Sequence, residues 1–163
     1  MELPITAFYI KGLNNDFIKL EILEIYGFPA ETSFRGGYDI KCRLEISCGI
    51  YHLLTDNYFS STDALLQFLE NLNKCYKTLN GKCSYNVYLP ENDLSFDIQG
   101  KVTLNGKYRD DIMATANILY FQINSDQSYF IQVINDLKTV AKIFQQVNKK
   151  IRSKVSKLYF FYL

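Results

Sequence analysis

The most constraining feature of this sequence is a change of hydrophobic period close to its C-terminal end. Residues 118–123 alternate with period two, which is typical of a strand with one buried face. Beyond them the spacing becomes three to four, as in an amphipathic helix, at Phe130, Val133, Ile134, Leu137, Val140, Ala141 and Phe144. A strand therefore leads into a helix, and Ser125 or Asp126 can cap the first free amides. We expect this helix to end near Val147.

Alternation elsewhere predicts further strands. The clearest covers residues 38–48, where every second residue is apolar and the others are polar, so one face is buried and the other wet. Further strands are predicted at residues 17–25, 50–58, 83–88, 93–99, 101–108 and 115–123. A helix opens at Ser60-Ser-Thr-Asp, and we expect Asn80-Gly81 to close it. Its apolar stripe consists of Leu65, Phe68, Leu69, Leu72, Tyr76 and Leu79.

This order of elements predicts an α+β fold. We expect a curved antiparallel β-sheet of about six to seven strands with two amphipathic helices packed against it. A chain of 163 residues fits a single domain, 1–163, with the N-terminal segment 1–15 and the tail 149–163 peripheral. The tail ends in six apolar residues, 158–163. They are expected to add an edge strand, to extend a helix onto the body, or to become buried against a partner. They could also join copies of the chain into a homo-oligomer.

Charge and hydropathy restrict the classes of partner. The net charge of +1 includes five basic residues and no acidic residue in the tail; the rest has 13 basic against 17 acidic residues, so about −4. An acidic body argues against nucleic acid as a partner. The apolar runs are too short to cross a membrane, and residues 1–4 do not resemble the start of a signal peptide. We therefore expect a cytoplasmic protein.

The sequence offers little for catalysis, so we predict that the chain is not an enzyme. The only histidine, His52, alternates with Ile50 and Leu54 and is expected to be partly buried on an apolar face. The four cysteines include no Cys-x-x-Cys pair and are expected to be reduced thiols, largely buried. No catalytic residue, metal ligand or cofactor is predicted.

Binding fits the composition better than catalysis. Tyrosines at 51, 85 or 88, and 108 are predicted on exposed strand faces, where a tyrosine gives a large contact area. The alternative, expected for more than half of them, is a place in the core with the hydroxyl at the surface. Acidic side chains on wet strand faces and in loops are candidate partner-binding residues. They are Asp39, Glu45, Glu91, Asp93, Asp97, Asp110 and Asp111.

Five segments of the chain follow one another in a characteristic order. They are an alternating strand with its turn, a Ser/Thr-capped helix start, the end of that helix, a later strand, and the Asp-Gln-Ser-Tyr entry into the last helix. These segments occupy residues 37–51, 58–65, 69–81, 100–108 and 124–130, and they resemble the WapI family of bacterial immunity proteins. In this order they cover about residues 16–147, whereas the first 16 residues and the tail do not align.

The resemblance implies a small cytoplasmic protein, encoded beside a polymorphic toxin, that binds the toxin's C-terminal effector domain and blocks it stoichiometrically. No individual contact residue follows from the resemblance. The alternative is a small-ligand-binding or enzymatic α+β domain, with a pocket between sheet and helices. A deep cavity converging on His52 or on buried tyrosines would favour that alternative.

Overall fold

A computed structural model describes most of the chain. The described residues are 2–33, 36–85, 94–99, 101–109 and 117–159, with side chains left undescribed at 94–99, 101 and 145–159. Within them lie eight strands: β1 (Ile5–Lys11), β2 (Phe17–Ile25), β3 (Asp39–Cys48), β4 (Tyr51–Ser61), β5 (Asn80–Tyr85), β6 (Leu94–Gln99), β7 (Lys101–Arg109) and β8 (Ile118–Ser125). The two α-helices are α1 (Thr62–Thr78) and α2 (Phe130–Tyr159).

The strands form two antiparallel sheets of four, in the orders β1-β2-β3-β4 and β5-β6-β7-β8. The predicted α+β class, antiparallel pairing and two helices are confirmed. A single sheet was predicted, whereas the structure has two. The division falls at α1, because a 17-residue helix between β4 and β5 carries the chain away before pairing resumes. Neighbouring strands within each sheet are consecutive, so short connections suffice.

The first sheet follows the alternation of its sequence. β2 has the predicted ends, and β3 begins one residue after the predicted start. Leu20 lies opposite Leu44, and Ile18 opposite Ile46, so the apolar positions of the two strands share one buried face. That face forms one wall of the core, because polar residues alternate with the apolar ones on both strands.

β1 is a strand that the sequence analysis did not predict. It lies in segment 1–15, expected to be peripheral, yet Ala7, Phe8 and Ile10 are fully buried. The register with β2 shifts between Thr6 and Phe8, so two successive residues, Ala7 and Phe8, are both inside. This irregularity removes the strict alternation by which a strand is recognised in sequence.

Both helices start as expected and end differently. The Ser61 side chain accepts a hydrogen bond from the Ala64 amide and caps α1. The left-handed residue that ends α1 is Leu79, not the predicted Asn80-Gly81, and Leu79 is half-exposed rather than part of the apolar stripe. Asp126 accepts from the Ser128 amide at the entry to α2, but this helix continues to Tyr159, past the predicted end.

A continuous core joins both sheets and both helices. The rings of Phe8, Phe68 and Tyr85, from β1, α1 and β5, lie with their centroids 5.5–5.6 Å apart. The hydroxyls of Ser60 on β4 and Tyr85 on β5 form a buried hydrogen bond of 2.5 Å between the two sheets. The α2 residue Phe144 packs edge-on against a ring of the β2–β3 connection. This core fixes how the edges of the two sheets face each other.

Candidate protein-binding surface

The described residues show no arrangement suited to metal binding or thiol chemistry. No group of three or more His, Cys, Asp or Glu side chains converges among them. All four cysteines are free, and Cys42, Cys75 and Cys83 are buried as predicted. Burial raises the pKa of the Cys42 and Cys83 thiols, and contact with Cys75 adds to the effect at Cys83. Raised pKa values keep these thiols protonated and unreactive at neutral pH.

The wet face of the first sheet carries a chain of ion pairs. Arg43 on β3 donates to both carboxylate oxygens of Asp56 on β4, at 2.6 and 2.8 Å. On β2, Glu21 Oε1 lies 2.9 Å from Lys19 Nζ, and Glu21 Oε2 lies 4.0 Å from Arg43 Nη1. The Asp56 carboxylate raises the pKa of Arg43, and Arg43 lowers that of Asp56. Positive and negative charges therefore balance locally over much of this face.

The predicted acidic contact residues do not meet in one place. Asp39 and Glu45 both lie half-buried on β3, and their six-residue separation corresponds to about 20 Å along a strand. Asp97 lies on β6 in the other sheet, opposite Thr103. Four of the predicted residues lie outside the described part of the chain: Glu91, Asp93, Asp110 and Asp111.

The prediction for His52 was wrong. Its side chain is 54% exposed, and its Nε2 lies 2.9 Å from Glu45 Oε1 on the wet face. Ile50 and Leu54, expected with it on a buried face, are 92% and 58% exposed. The cause is a bulge in β4, because Leu44 pairs with Thr55 but Cys42 pairs with Tyr58. The inward-facing residues therefore have odd numbers before the bulge and even numbers after it.

The predicted exposed tyrosines divide between surface and core. Tyr51 is 63% exposed, as expected. Tyr85 is fully buried and Tyr108 nearly so, because their strands turn these positions towards the core, as the alternative interpretation of the tyrosines expected. Tyr88 lies outside the described residues. Sequence reasoning also missed Tyr120, which is 70% exposed on β8.

An anchored turn presents the most exposed apolar side chain of the described residues. The turn has two central residues, and a positive φ only at the first, Gly49, is the pattern of a type II′ turn. The Gly49 amide donates to Asp16 Oδ1 at 2.8 Å, and the Cys48 thiol donates to the Gln122 carbonyl at 3.5 Å. These contacts tie the turn to the β1–β2 connection and to β8, so Ile50 projects from a fixed base.

Beside this turn lies an open groove of about 410 Å³, which we call the β4 edge groove. Its lining residues are Tyr51, His52, Leu53, Leu54, Tyr108 and Leu119. A groove open along one side, with its histidine bonded to a glutamate, differs from the deep cavity that the small-ligand alternative requires. The lining is apolar and aromatic with a few polar groups, a composition common at the centre of protein interfaces.

Comparison with known proteins identifies the family. A model described as the immunity protein WapI-like family matches residues 9–145. The chain belongs to this WapI-like immunity protein family. Neither a curated protein nor a solved structure matches the chain significantly. Over the described residues, no helix of this WapI-like protein is long and apolar enough to span a bilayer.

The matched region of the WapI-like protein contains the anchored turn and every residue of the β4 edge groove. Family membership implies immunity towards a toxin, and therefore a protein toxin as partner.

Proposed function

We propose that this WapI-like protein neutralises the effector domain of a cognate bacterial toxin by forming a stoichiometric complex with it in the cytoplasm, without catalytic turnover. The family supports an immunity role, and the surface supports recognition by contact. The observation that carries the proposal is the anchored turn, which holds Ile50 and Tyr51 outward beside the β4 edge groove.

The exposed apolar area is suited to the centre of an interface. Ile50, Tyr51 and Leu54 are each more than half exposed. Taking about 150–250 Å² for a large side chain, they present on the order of 400 Å² together. One side of a standard protein interface buries about 800 Å², a little over half of it apolar. These three side chains thus match the apolar part of one such side.

The rigidity of the anchored turn should strengthen binding at this surface. Binding is weakened when side chains and loops must be ordered, at about 0.5–1.5 kcal/mol for each immobilised side chain. The turn is already held by its contacts to Asp16 and Gln122, so little backbone ordering remains when a partner docks. Apolar and aromatic side chains on fixed backbone are typical interface hot spots.

The acidic residues named above are proposed as contacts that steer a basic effector towards the protein. Asp39, Glu45 and Asp97 lie on strands, and Glu91, Asp93, Asp110 and Asp111, which were predicted in loops, complete the set. Such charges steer the encounter more than they add affinity, so the association rate with a basic effector should fall as salt rises.

Co-expression with the effector domain encoded immediately upstream tests the proposal. We expect survival of the host and a complex that co-purifies in a fixed ratio. Ile50→Asp, at a turn position that makes no core contact, should weaken the affinity tenfold or more. Ile131→Asp, the same change at a half-exposed position on α2, is the matched control and should leave affinity unchanged. No rescue and no complex would refute the proposal for this partner.

A further inference from the structure

The shape of the β4 edge groove shows which part of the strand it follows. Four of its lining residues, 51 to 54, are consecutive on β4. Side chains of successive strand residues point to opposite faces, so a groove on one face would touch only every second residue. A groove that touches all four runs along the edge of the strand, where backbone groups are accessible.

The hairpin geometry fixes which backbone groups face this edge. In a two-residue turn the flanking pair, here Cys48 and Tyr51, exchanges hydrogen bonds, and such pairs alternate along the ladder. The backbone N–H and C=O groups of Leu53 are therefore hydrogen-bonded to Ile46, whereas those of His52 and Leu54 point away from β3. Among the hydrogen bonds recorded for the described residues, none occupies these outward groups.

The far wall of the groove comes from the second sheet. Tyr108 on β7 and Leu119 on β8 lie opposite each other in register and contribute apolar surface. The contact between the Cys48 thiol and the Gln122 carbonyl holds this wall against the hairpin. A strand edge that has no strand partner among the described residues thus stands beside an apolar wall, the arrangement by which proteins receive an added β-strand.

We propose that the β4 edge groove receives an extended strand of the toxin's effector domain, which pairs with the backbone of His52 and Leu54. This inference rests on the proposed function. The added strand should carry apolar side chains at alternate positions, which pack on Tyr108, Leu119 and the side of Tyr51. Its backbone gives affinity through hydrogen bonds, and its alternate side chains give specificity.

Two observations favour a folded partner over a second copy of this chain. The free edge is short, because the bulge at Asp56 and Asn57 interrupts β4 just beyond Thr55, and bulges limit edge-to-edge pairing between like sheets. The groove also lies within residues 9–145, which match the WapI-like immunity protein family, and that family implies a protein toxin as the partner. An effector domain with an exposed strand satisfies both.

Amide exchange, measured residue by residue by NMR, tests the pairing directly. The free chain is compared with its complex with the catalytically inactivated effector domain encoded immediately upstream. The amides of His52 and Leu54 should exchange at least tenfold more slowly in the complex. Those of Tyr51 and Leu53, bonded to β3, should be slow in both samples and serve as internal controls.

Proline substitution tests the same groups by affinity. Leu54→Pro removes an outward N–H that no ladder bond uses, so the strand should still fold. Leu54→Ala removes the side chain but keeps the N–H. We expect Leu54→Pro to weaken binding at least tenfold more than Leu54→Ala, with circular dichroism spectra unchanged. If Leu54→Pro did not fold, the exchange measurement on the unaltered chain would still decide.

The outcomes separate the two proposals. A tight complex in which His52 and Leu54 exchange as in the free chain would overturn the strand pairing alone. Absence of any complex with the unaltered chain would overturn the proposed function, and with it this occupant. Concentration-dependent protection of the two amides in the chain by itself would assign the edge to a second copy, and would also overturn the inference.

Discussion

At the scale of single residues, the pair formed by Arg43 and Asp56 explains an otherwise irregular strand. Two β4 residues, Asp56 and Asn57, occupy the space opposite Arg43 alone, and the bulged carboxylate receives both guanidinium hydrogen bonds. A two-point contact of this kind fixes orientation as well as distance. The bulge is therefore held by a specific side-chain contact and not by the backbone alone.

The lowered pKa of Asp56 predicts a pH-dependent contribution to stability. A carboxyl group whose pKa is lower folded than unfolded stabilises the fold above the unfolded value, about 3.9, and this contribution is lost as pH falls through the folded value. Asp56→Asn should lower Tm at pH 7, and the difference from the unaltered chain should shrink below about pH 4. Thermal melts between pH 2.5 and 7 measure it.

The matched control is Asp136→Asn, because the recorded partner of the Asp136 carboxylate is the neutral amide of Gln132. This change breaks no recorded ion pair, so it should lower Tm at pH 7 less than Asp56→Asn does. A Tm difference for Asp56→Asn that stayed constant from pH 7 to pH 2.5 would contradict the assignment to Arg43.

At the scale of elements, prediction from sequence succeeded where one face of a strand is buried without interruption. β3 alternates strictly over its ten residues, and β2 does so from Ile18 to Ile22, before its register with β3 shifts; the ends of both were predicted to within one residue. His52 was placed on the wrong face because a bulge five residues away exchanges the inward-facing and outward-facing positions of β4. A bulge has no recognisable pattern in the local sequence.

The candidate surface was less predictable than the strands, since it depends on how elements come together. The turn at Gly49 was predicted from the sequence, but the neighbours that anchor it, Asp16 and Gln122, are distant in the chain. Which strand lies at an edge follows from the division into two sheets, which alternation does not determine. The extension of α2 beyond Val147 was missed because the basic residues that follow were assigned to a peripheral tail.

The β7–β8 pair contains a close contact that can be tested by mutation. Gly106 lies opposite Phe121, and a Cβ added at Gly106 would come within 2.1 Å of the Phe121 ring. We expect Gly106→Ala to destabilise the protein by about 1–3 kcal/mol, as overpacking does. Urea unfolding measures the change.

The same substitution in a Phe121→Leu background provides the control, because a smaller side chain gives the added methyl group room. Gly106→Ala should lower the free energy of unfolding by less in the Phe121→Leu background than in the unaltered chain. An equal cost with and without the Phe121 ring would show that the contact is not its cause.

At the scale of the whole molecule, the two sheets share one core. Buried residues of both sheets and both helices form a single apolar cluster, and the Ser60–Tyr85 hydrogen bond crosses between the sheets inside it. An interface of this kind leaves neither sheet with a complete core of its own. The sheets should therefore unfold together.

Tyr85→Phe tests this coupling. The change removes the hydroxyl that bonds to the buried Ser60, which should cost about 1–3 kcal/mol. Far-ultraviolet circular dichroism and tyrosine fluorescence should give one shared transition before and after the substitution. Two separate transitions, with only one displaced by Tyr85→Phe, would show instead that the sheets are independent domains.

A double substitution tests the hydrogen bond itself. Ser60→Ala combined with Tyr85→Phe should lower the free energy of unfolding by less than the sum of the two single substitutions.

The turn between β3 and β4 has a consequence for how such a protein can diverge. Gly49 adopts the positive φ that the turn requires, and Ile50 is almost fully exposed, so the backbone of the turn is set by Gly49 and the anchors and not by the residue at position 50. Replacement of that residue changes what the tip displays and leaves the core intact. Selection can therefore act on this position separately from the fold.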